Sequence, residues 1–352
     1  MNPSLSTAPS TATLRAVTRG RVRRTRRRRS VIVALAVLIV VVFALTLMVG
    51  RTFYPPGDVL RAVLGHDVPG ASFTVGRLRL PRAALAVAAG LCFGLAGSTF
   101  QTMLRNPLAS PDIIGISSGA SAAATFAIVV LGLSGPTVSV VAIVSGLAIS
   151  TLVYALAYKG GVAGTRLILI GIGVAAMLDS VTSYVLDRAP EWDLQEALRW
   201  LTGSLNGTDW NRVVPVVIAL ALIAPVLLSR ANDLSLFQLG DDTASALGVR
   251  ANLTRLIAVT AAVALIAFAT AAAGPIAFVA FLCGPIAARL VGPDGSLLLP
   301  SALVGALLVL VADLVGQFLL GTRYPVGVVT GVLGAPYLVY LIVRTHRAGG
   351  SL

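Results

Sequence analysis

Apolar residues in this chain run in long unbroken blocks, not in the alternation of half-buried strands. Uncharged windows follow one another from residue 31 to residue 343, and a helix rising 1.5 Å per residue needs about 20 such residues to cross a bilayer. Two windows are too long for one crossing. The window 113–158 breaks at Ser134-Gly135-Pro136, and the window 256–288 breaks near Gly274-Pro275, both helix-ending combinations. The pattern predicts ten spans, at 31–50, 83–104, 113–132, 138–158, 167–186, 213–229, 256–273, 275–290, 297–318 and 324–343, the eighth being short. No A-x-A cleavage pattern follows the first block, which therefore reads as a membrane helix and not a signal peptide.

Composition agrees. Of 352 residues, 57% are hydrophobic and 12% charged, with a mean hydropathy of +0.90, whereas soluble domains carry about 25% charged residues. A soluble globular protein is excluded, and the fold class is all-α, a polytopic membrane domain over 31–345 behind a polar tail, 1–30, that reads as disordered. The formal charge of +13 would suit nucleic acid until it is located: nine of the 27 basic residues are arginines between Arg15 and Arg29. A basic run beside an apolar span is a cytoplasmic anchor attracted to anionic membrane lipid, so no nucleic-acid partner is expected. An even number of spans then places both termini in the cytoplasm of a multi-pass cell-membrane protein. Outside the tail the basic residues divide evenly between the two sides, and the outer-side Arg77, Arg79 and Arg82 invite an acidic partner there.

Two polar segments interrupt the spans. Residues 187–212 hold a short amphipathic stretch and all three tryptophans, Trp192, Trp200 and Trp210, as an outer interfacial helix would. Residues 230–255 form the largest cytoplasmic loop, long enough for two short helices with a turn.

Several motifs fail on context. Gly115-Ile116-Ser117-Ser118-Gly119 matches a hydrolase elbow, but His66 and His346 are far from it in sequence and assigned to opposite sides. Gly171-Ile172-Gly173-Val174-Ala175-Ala176 lies inside a span and so is no dinucleotide loop. Gly90-x-x-x-Gly94 and Gly327-x-x-x-Gly331 read as close helix packing. No phosphate-binding loop surrounds Lys159, so no ATPase is encoded. Cys92 and Cys283 sit within apolar runs, so neither a disulfide nor a metal site is expected. The ionisable groups within spans are Asp179, mid-span, and Asp313, near an outer end where capping or snorkelling accounts for it.

Taken in order, Arg79-Leu80-Pro81-Arg82, Gly97-Ser98-Thr99-Phe100-Gln101, Arg105-Asn106-Pro107-Leu108-Ala109-Ser110-Pro111, Trp200 with Gly203-Ser204-Leu205, Leu239-Gly240-Asp241-Asp242-Thr243-Ala244 to Leu247-Gly248, Gly274-Pro275-Ile276-Ala277-Phe278-Val279, and Pro325-Val326-Gly327 to Gly334-Ala335-Pro336 resemble the FecCD/BtuC-type permeases of ABC importers. The resemblance spans all but the tail. It implies a second permease subunit, two cytoplasmic ATPases, and an extracytoplasmic siderophore-binding protein. It also implies no cofactor on this chain, with ATP and Mg held by the ATPases, and no catalytic residue here. Arg79 and Arg82 would dock the binding protein, as guanidinium forks suit carboxylates. Leu239, Gly240, Asp241, Asp242, Ala244, Leu247 and Gly248 would form the ATPase-coupling loop, with Gly240 and Gly248 permitting turns, Asp241 or Asp242 capping a helix, and Ala244 with Leu247 forming a small apolar face. Asn106, Pro107 and Leu108, with Gly164 and Thr165, would form the cytoplasmic gate. The chain departs from the pattern at Cys283-Gly284-Pro285, at Gln317 and at Arg323-Tyr324. It looks most like the FepG-type half of ferric-siderophore permeases, which works beside a different permease chain. Cobalamin or haem is the alternative cargo. From other classes, an ion-coupled transporter would need Asp179, and an intramembrane enzyme would need Ser117.

Overall fold

The computed structural model describes residues 11–158, 164–292 and 295–347. In chain order the helices are α1 (Thr11–Met48), α2 (Pro56–Val63), α3 (Ala71–Phe73), α4 (Leu80–Met103), α5 (Ile116–Val129), α6 (Pro136–Ala157), α7 (Gly164–Asp187), α8 (Glu191–Leu201), α9 (Trp210–Ser229), α10 (Ala231–Leu236), α11 (Asp241–Ala246), α12 (Ala251–Ala273), α13 (Val279–Val291), α14 (Leu298–Phe318) and α15 (Val326–Arg347). A π-helical turn over Thr74–Arg79 joins α3 to α4 into one continuous rod. Among the described residues eight helices are long and apolar enough to cross a membrane, and α5 and α13 are shorter apolar helices. Those ten coincide with the ten predicted spans, with shifted ends.

Helix α4 is the hub, and its composition is the reason. Ala, Gly and Ser make up ten of its 24 residues, so helices close on it from several sides: α14, α12, α13 and α9 all pack against it. An added Cβ at Gly90 would strike the Gly305 carbonyl, one at Gly94 the Ser301 carbonyl, and one at Gly97 the Ala280 carbonyl. Without a hydrophobic drive between helices in lipid, such close backbone approach is what holds a bundle together. In the second small-residue pair only Gly327 packs closely, against the Thr202 carbonyl; nothing approaches Gly331. The Gly171 motif is also packing, its α-carbon lying against the Ile113 carbonyl. Burial separates centre from rim: 83% of the apolar window of the Ala71–Met103 rod is buried, against 17% for α7.

The expected breaks occur, and three boundaries move. Pro136 opens α6 after Gly135, as predicted. At Gly274 α12 ends, but helix does not resume at 275; it resumes at Val279, because Phe278 takes a left-handed conformation (φ 63°) and turns the chain into α13. The third span begins as a 3-10 turn over Pro111–Ile114 before α5 starts at Ile116. The tail expected to be disordered is helical from Thr11, in one piece with the first span. Arginine is a good helix former, and extending an existing helix costs far less than starting one. Two tail arginines are also engaged: Arg27 donates to the Arg289 carbonyl at 3.3 Å, and Arg28 donates to that of Ser296. Residues 1–10 lie outside the described residues.

One end of the bundle thus gathers the arginine-rich part of α1, the α4–α5 connection, the α10–α11 segment and the α13–α14 connection. The other gathers the α1–α4 connection, α8 and the α14–α15 connection.

Candidate functional site at the two ends of the bundle

The polar segment 230–255 folds as expected into two short helices with a turn. Helix α10 passes through a 3-10 turn, Phe237–Leu239, to Gly240, and α11 follows. Gly240 adopts φ 103° and Gly248 φ 90°, backbone conformations that a side chain would strain, so both glycines are needed where the chain enters and leaves α11. The loop's apolar display differs from the sequence reading. Ala244 is fully buried and anchors α11 to the bundle, whereas Leu239 and Leu247 are 60% and 59% exposed and form the outward apolar surface, with Asp242 exposed beside them.

Asp241 does not cap α11 either, and no side chain caps that helix. Its carboxylate reaches across to two arginines: Arg105 Nη2 donates to Oδ1 at 3.2 Å and Arg255 Nη2 donates to Oδ2 at 2.7 Å. Arg255 also lies over the Phe237 ring, 5.1 Å from its centre. Arg105 is the residue before the predicted gate segment and holds a left-handed φ of 52°, which places it past the end of α4 with its side chain turned toward α11. Here Asn106 folds back, its Oδ1 accepting from the Leu108 amide at 2.8 Å, and turns the chain through Pro107. Asn106, Thr165, Asp241 and Arg255 line a single cavity of about 420 Å³. The predicted gate residues Asn106 and Thr165 therefore meet the predicted coupling residue Asp241 in one place. Gly164 begins α7 immediately beside it.

At the opposite end the two docking arginines are already engaged within the chain. Arg79 donates from Nη1 to the Leu47 and Met48 carbonyls at 2.8 and 2.9 Å and from Nη2 to that of Thr52 at 2.7 Å, closing the C-terminus of α1. Arg82 grips Asp313 with both prongs, Nε to Oδ2 and Nη2 to Oδ1, each at 2.7 Å, and its Nη1 donates to Asn206 Oδ1 at 2.7 Å. Gln317 donates to the same Asn206 oxygen at 3.3 Å. Asp313 is thus neither a cap nor a snorkelling group. It is 2% exposed, and its charge is matched by a bidentate guanidinium, the geometry a buried carboxylate requires. Both arginines are thus held by partners within this chain, which the sequence did not show. The exposed Arg51 and Arg323 line one cavity with Arg79 and Arg82, and Arg77 is exposed in the turn before α4.

Sequence reasoning missed Arg255 and the pairing of Arg82 with Asp313. Two opposite charges at the same end of adjacent spans would have signalled that pair; Arg255 carried no signal. Ser117, the elbow candidate, donates its hydroxyl hydrogen to Asp112. Cys92 and Cys283 are buried and unpaired, and no group of metal-ligating side chains occurs among the described residues.

The chain is similar along most of its length to proteins of known role. It is 40% identical over 320 residues to the achromobactin transport system permease protein CbrC of Dickeya dadantii, covering 90% of this chain and 92% of that one. It is 39% identical over 301 residues to the ferric enterobactin transport system permease protein FepG of Escherichia coli, covering 85% and 91%. A solved ABC transporter assigned to the metal-chelate type, in an inward-facing conformation, superposes with a TM-score of 0.81 at 28% identity, over 90% of this chain and 99% of that one. The model of the FecCD transport family matches residues 38–344, and a multi-pass bundle with this order of motifs is what that match requires: the chain belongs to the FecCD transport family.

Proposed function

We propose that this chain is the non-catalytic membrane subunit of an ATP-binding cassette importer that passes ferric-siderophore into the cytoplasm. ATP and Mg belong to two partner ATPases, and a second, homologous and different permease chain completes the path. The junction at Asp241 is the observation that carries the mechanism. A surface helix flanked by two exposed leucines is tied by one carboxylate to the residue preceding the gate segment, so a push on α11 is delivered to Arg105 and α12 together. The leucines Leu239 and Leu247 suit an apolar groove on an ATPase, since they are large, exposed and adjacent to a turn. ATPase closure moves α11, Asp241 carries Arg105 and Arg255 with it, and the cavity lined by Asn106 and Thr165 changes shape. Access then switches from one end to the other.

This reading places both termini and the α10–α11 segment in the cytoplasm, next to the arginine-rich part of α1. The outer rim then carries Arg51, Arg77 and Arg323, with Arg79 and Arg82 anchored among them. That cluster presents a positive field to an acidic binding protein and speeds its docking even though two of its members are held in place.

The test is uptake of radiolabelled ferric siderophore and of cobalamin in cells carrying the chain with its neighbouring ATPase. Iron uptake that disappears both with an ATPase-dead partner and with Gly240→Trp, while the protein remains in the membrane, supports the reading. Iron uptake that persists without ATP hydrolysis refutes it in favour of ion coupling, and uptake of cobalamin alone refutes the cargo.

A further inference from the structure

At the end of the bundle away from α11, a cavity of about 520 Å³ lies between the α5–α6 connection, α8, the segment leading into α9 and the last turn of α12. Glu196 and Arg199 of α8 and Arg212 of α9 all line it, and among the described residues none of the three makes an ion pair, although opposite charges share the space. Asn206 contributes donors alone, because its Oδ1 already accepts from Arg82 and Gln317 and leaves only the amide hydrogens. Trp192 and Trp200 complete the lining. Trp192 is 83% exposed, which is unfavourable in water but ordinary for an indole at a membrane surface.

The floor is the last turn of α12, Ala271 to Gly274, and an open strip leads from it into the span. Between Thr260 and Ala273 all residues are buried except Thr260, Ala264 and Phe268. Their spacing of four keeps them within an arc of about 80°, and the next residue at that spacing is Ala272, on the cavity floor. A polar cavity at the level of the helix ends is thus continuous with an apolar strip at the level of hydrocarbon. Two guanidinium groups suit the oxygens of one phosphate, and a carboxylate beside indole faces suits an ammonium. Inorganic phosphate would leave Glu196 and the strip unused, and a lipid with an uncharged glycerol headgroup would leave Glu196 unpaired. The geometry points to a binding site for a phospholipid with an ammonium headgroup. Arg199 and Arg212 hold its phosphate, Glu196 with the two tryptophans receives its ammonium, and one acyl chain follows the strip on α12. The lipid would tie α8 to the α5–α6 connection and to α12. This reading needs only the membrane fold, not the importer activity.

Native mass spectrometry of the full chain in detergent tests it, with phosphatidylethanolamine and phosphatidylglycerol of identical acyl chains as probes. The unaltered protein should bind the first ethanolamine lipid about threefold more tightly than the first glycerol lipid, the effect of one partly exposed charge pair, and Glu196→Gln should remove that preference. Arg199→Gln with Arg212→Gln should weaken binding of both lipids about tenfold, since both present the same phosphate. Glu196→Lys should reverse the preference toward phosphatidylglycerol, a gain that a misfolded protein would not show. Arg188→Gln, an exposed arginine at the same end that does not line the cavity, should bind as the unaltered protein does. Two soluble competitors separate lipid from headgroup: neither inorganic phosphate nor glycerophosphoethanolamine should displace the ethanolamine lipid at equal concentration. Displacement by either, or lipid binding that ignores the Glu196 and arginine changes, overturns the inference. None of these readouts involves ATP or iron, so failure of the importer reading would leave them interpretable.

Discussion

Arg105 donates to Asp241 at 3.2 Å, and this contact joins the surface segment that sequence reasoning assigned to ATPase coupling with the segment it assigned to the gate. Because Arg255 grips the other oxygen of the same carboxylate at 2.7 Å, Asp241 ties the end of α4 to the start of α12 through α11. Asp241 is 40% exposed, so the pairs add little stability; what they supply is a fixed geometry. Replacement of Asp241 by Ala should leave the protein folded, with stability altered by under ~1 kcal/mol, and lower uptake per ATP hydrolysed several-fold. Thermal unfolding in detergent alongside ATPase and uptake assays of the assembled complex checks both halves.

The Arg82–Asp313 pair is the opposite case, with Asp313 only 2% exposed and Arg82 17%. Removing one partner leaves a buried charge, so Arg82→Ala or Asp313→Ala should each destabilise by about 3–5 kcal/mol, while a double replacement by Met and Leu should cost much less than the two single changes combined. A double-mutant cycle read by detergent melting measures this. Equal, additive losses would show that the pair does not act as a unit.

Close packing around α4 gives a third expectation. At Gly97 a methyl group would meet the Ala280 carbonyl of the backbone, which cannot swing away as a flexible side chain does. Gly97→Val should therefore abolish monodisperse protein on size exclusion, by the overpacking that costs ~1–3 kcal/mol or more in a filled interior. Gly331→Ala, with open space around it, should behave as wild type.

Leu239 and Leu247, on either side of α11, are 60% and 59% exposed. Leu247→Asp should weaken co-purification of the ATPase at least tenfold, because it puts a charge into the middle of an apolar contact worth ~2 kcal/mol when buried. Ala244→Asp should instead disrupt α11 itself, since that residue is fully buried. Quantitative pull-down together with circular dichroism separates the two.

What the sequence revealed and what it hid divide along physical lines. Helix number and breaks are local properties, so Gly135-Pro136 and Gly274 marked real ends, and the turns at Gly240 and Gly248 were readable from residue type. Long-range pairing is not local. Arg82 and Asp313 lie 231 positions apart, Arg105 and Asp241 136, and no periodicity connects them. The partners that hold Arg79 and Arg82 within the chain, the carbonyls of α1 and the carboxylate of Asp313, are tertiary and so left no mark on residue type. Ala244 and Leu247 were grouped on one face because the short α11 leaves too little length for a period to show which side is inward. Helix in the tail was hidden by its charge, since composition speaks for a free chain and not for one continuing an anchored helix.

The central claim is that movement of the surface helix α11 opens the gate. It is tested most directly by reconstituting the complete transporter in proteoliposomes and joining α11 to the gate segment with a cross-link, Asp241→Cys to Arg105→Cys, formed by a short bifunctional reagent and released by reduction. If α11 and Arg105 move as one body, the cross-linked complex should keep ATP-driven accumulation of ferric siderophore, while the uncross-linked double variant, lacking the ion pair, should hydrolyse ATP with little accumulation. Accumulation by the uncross-linked variant equal to wild type, or its abolition by the cross-link and return on reduction, would contradict the account.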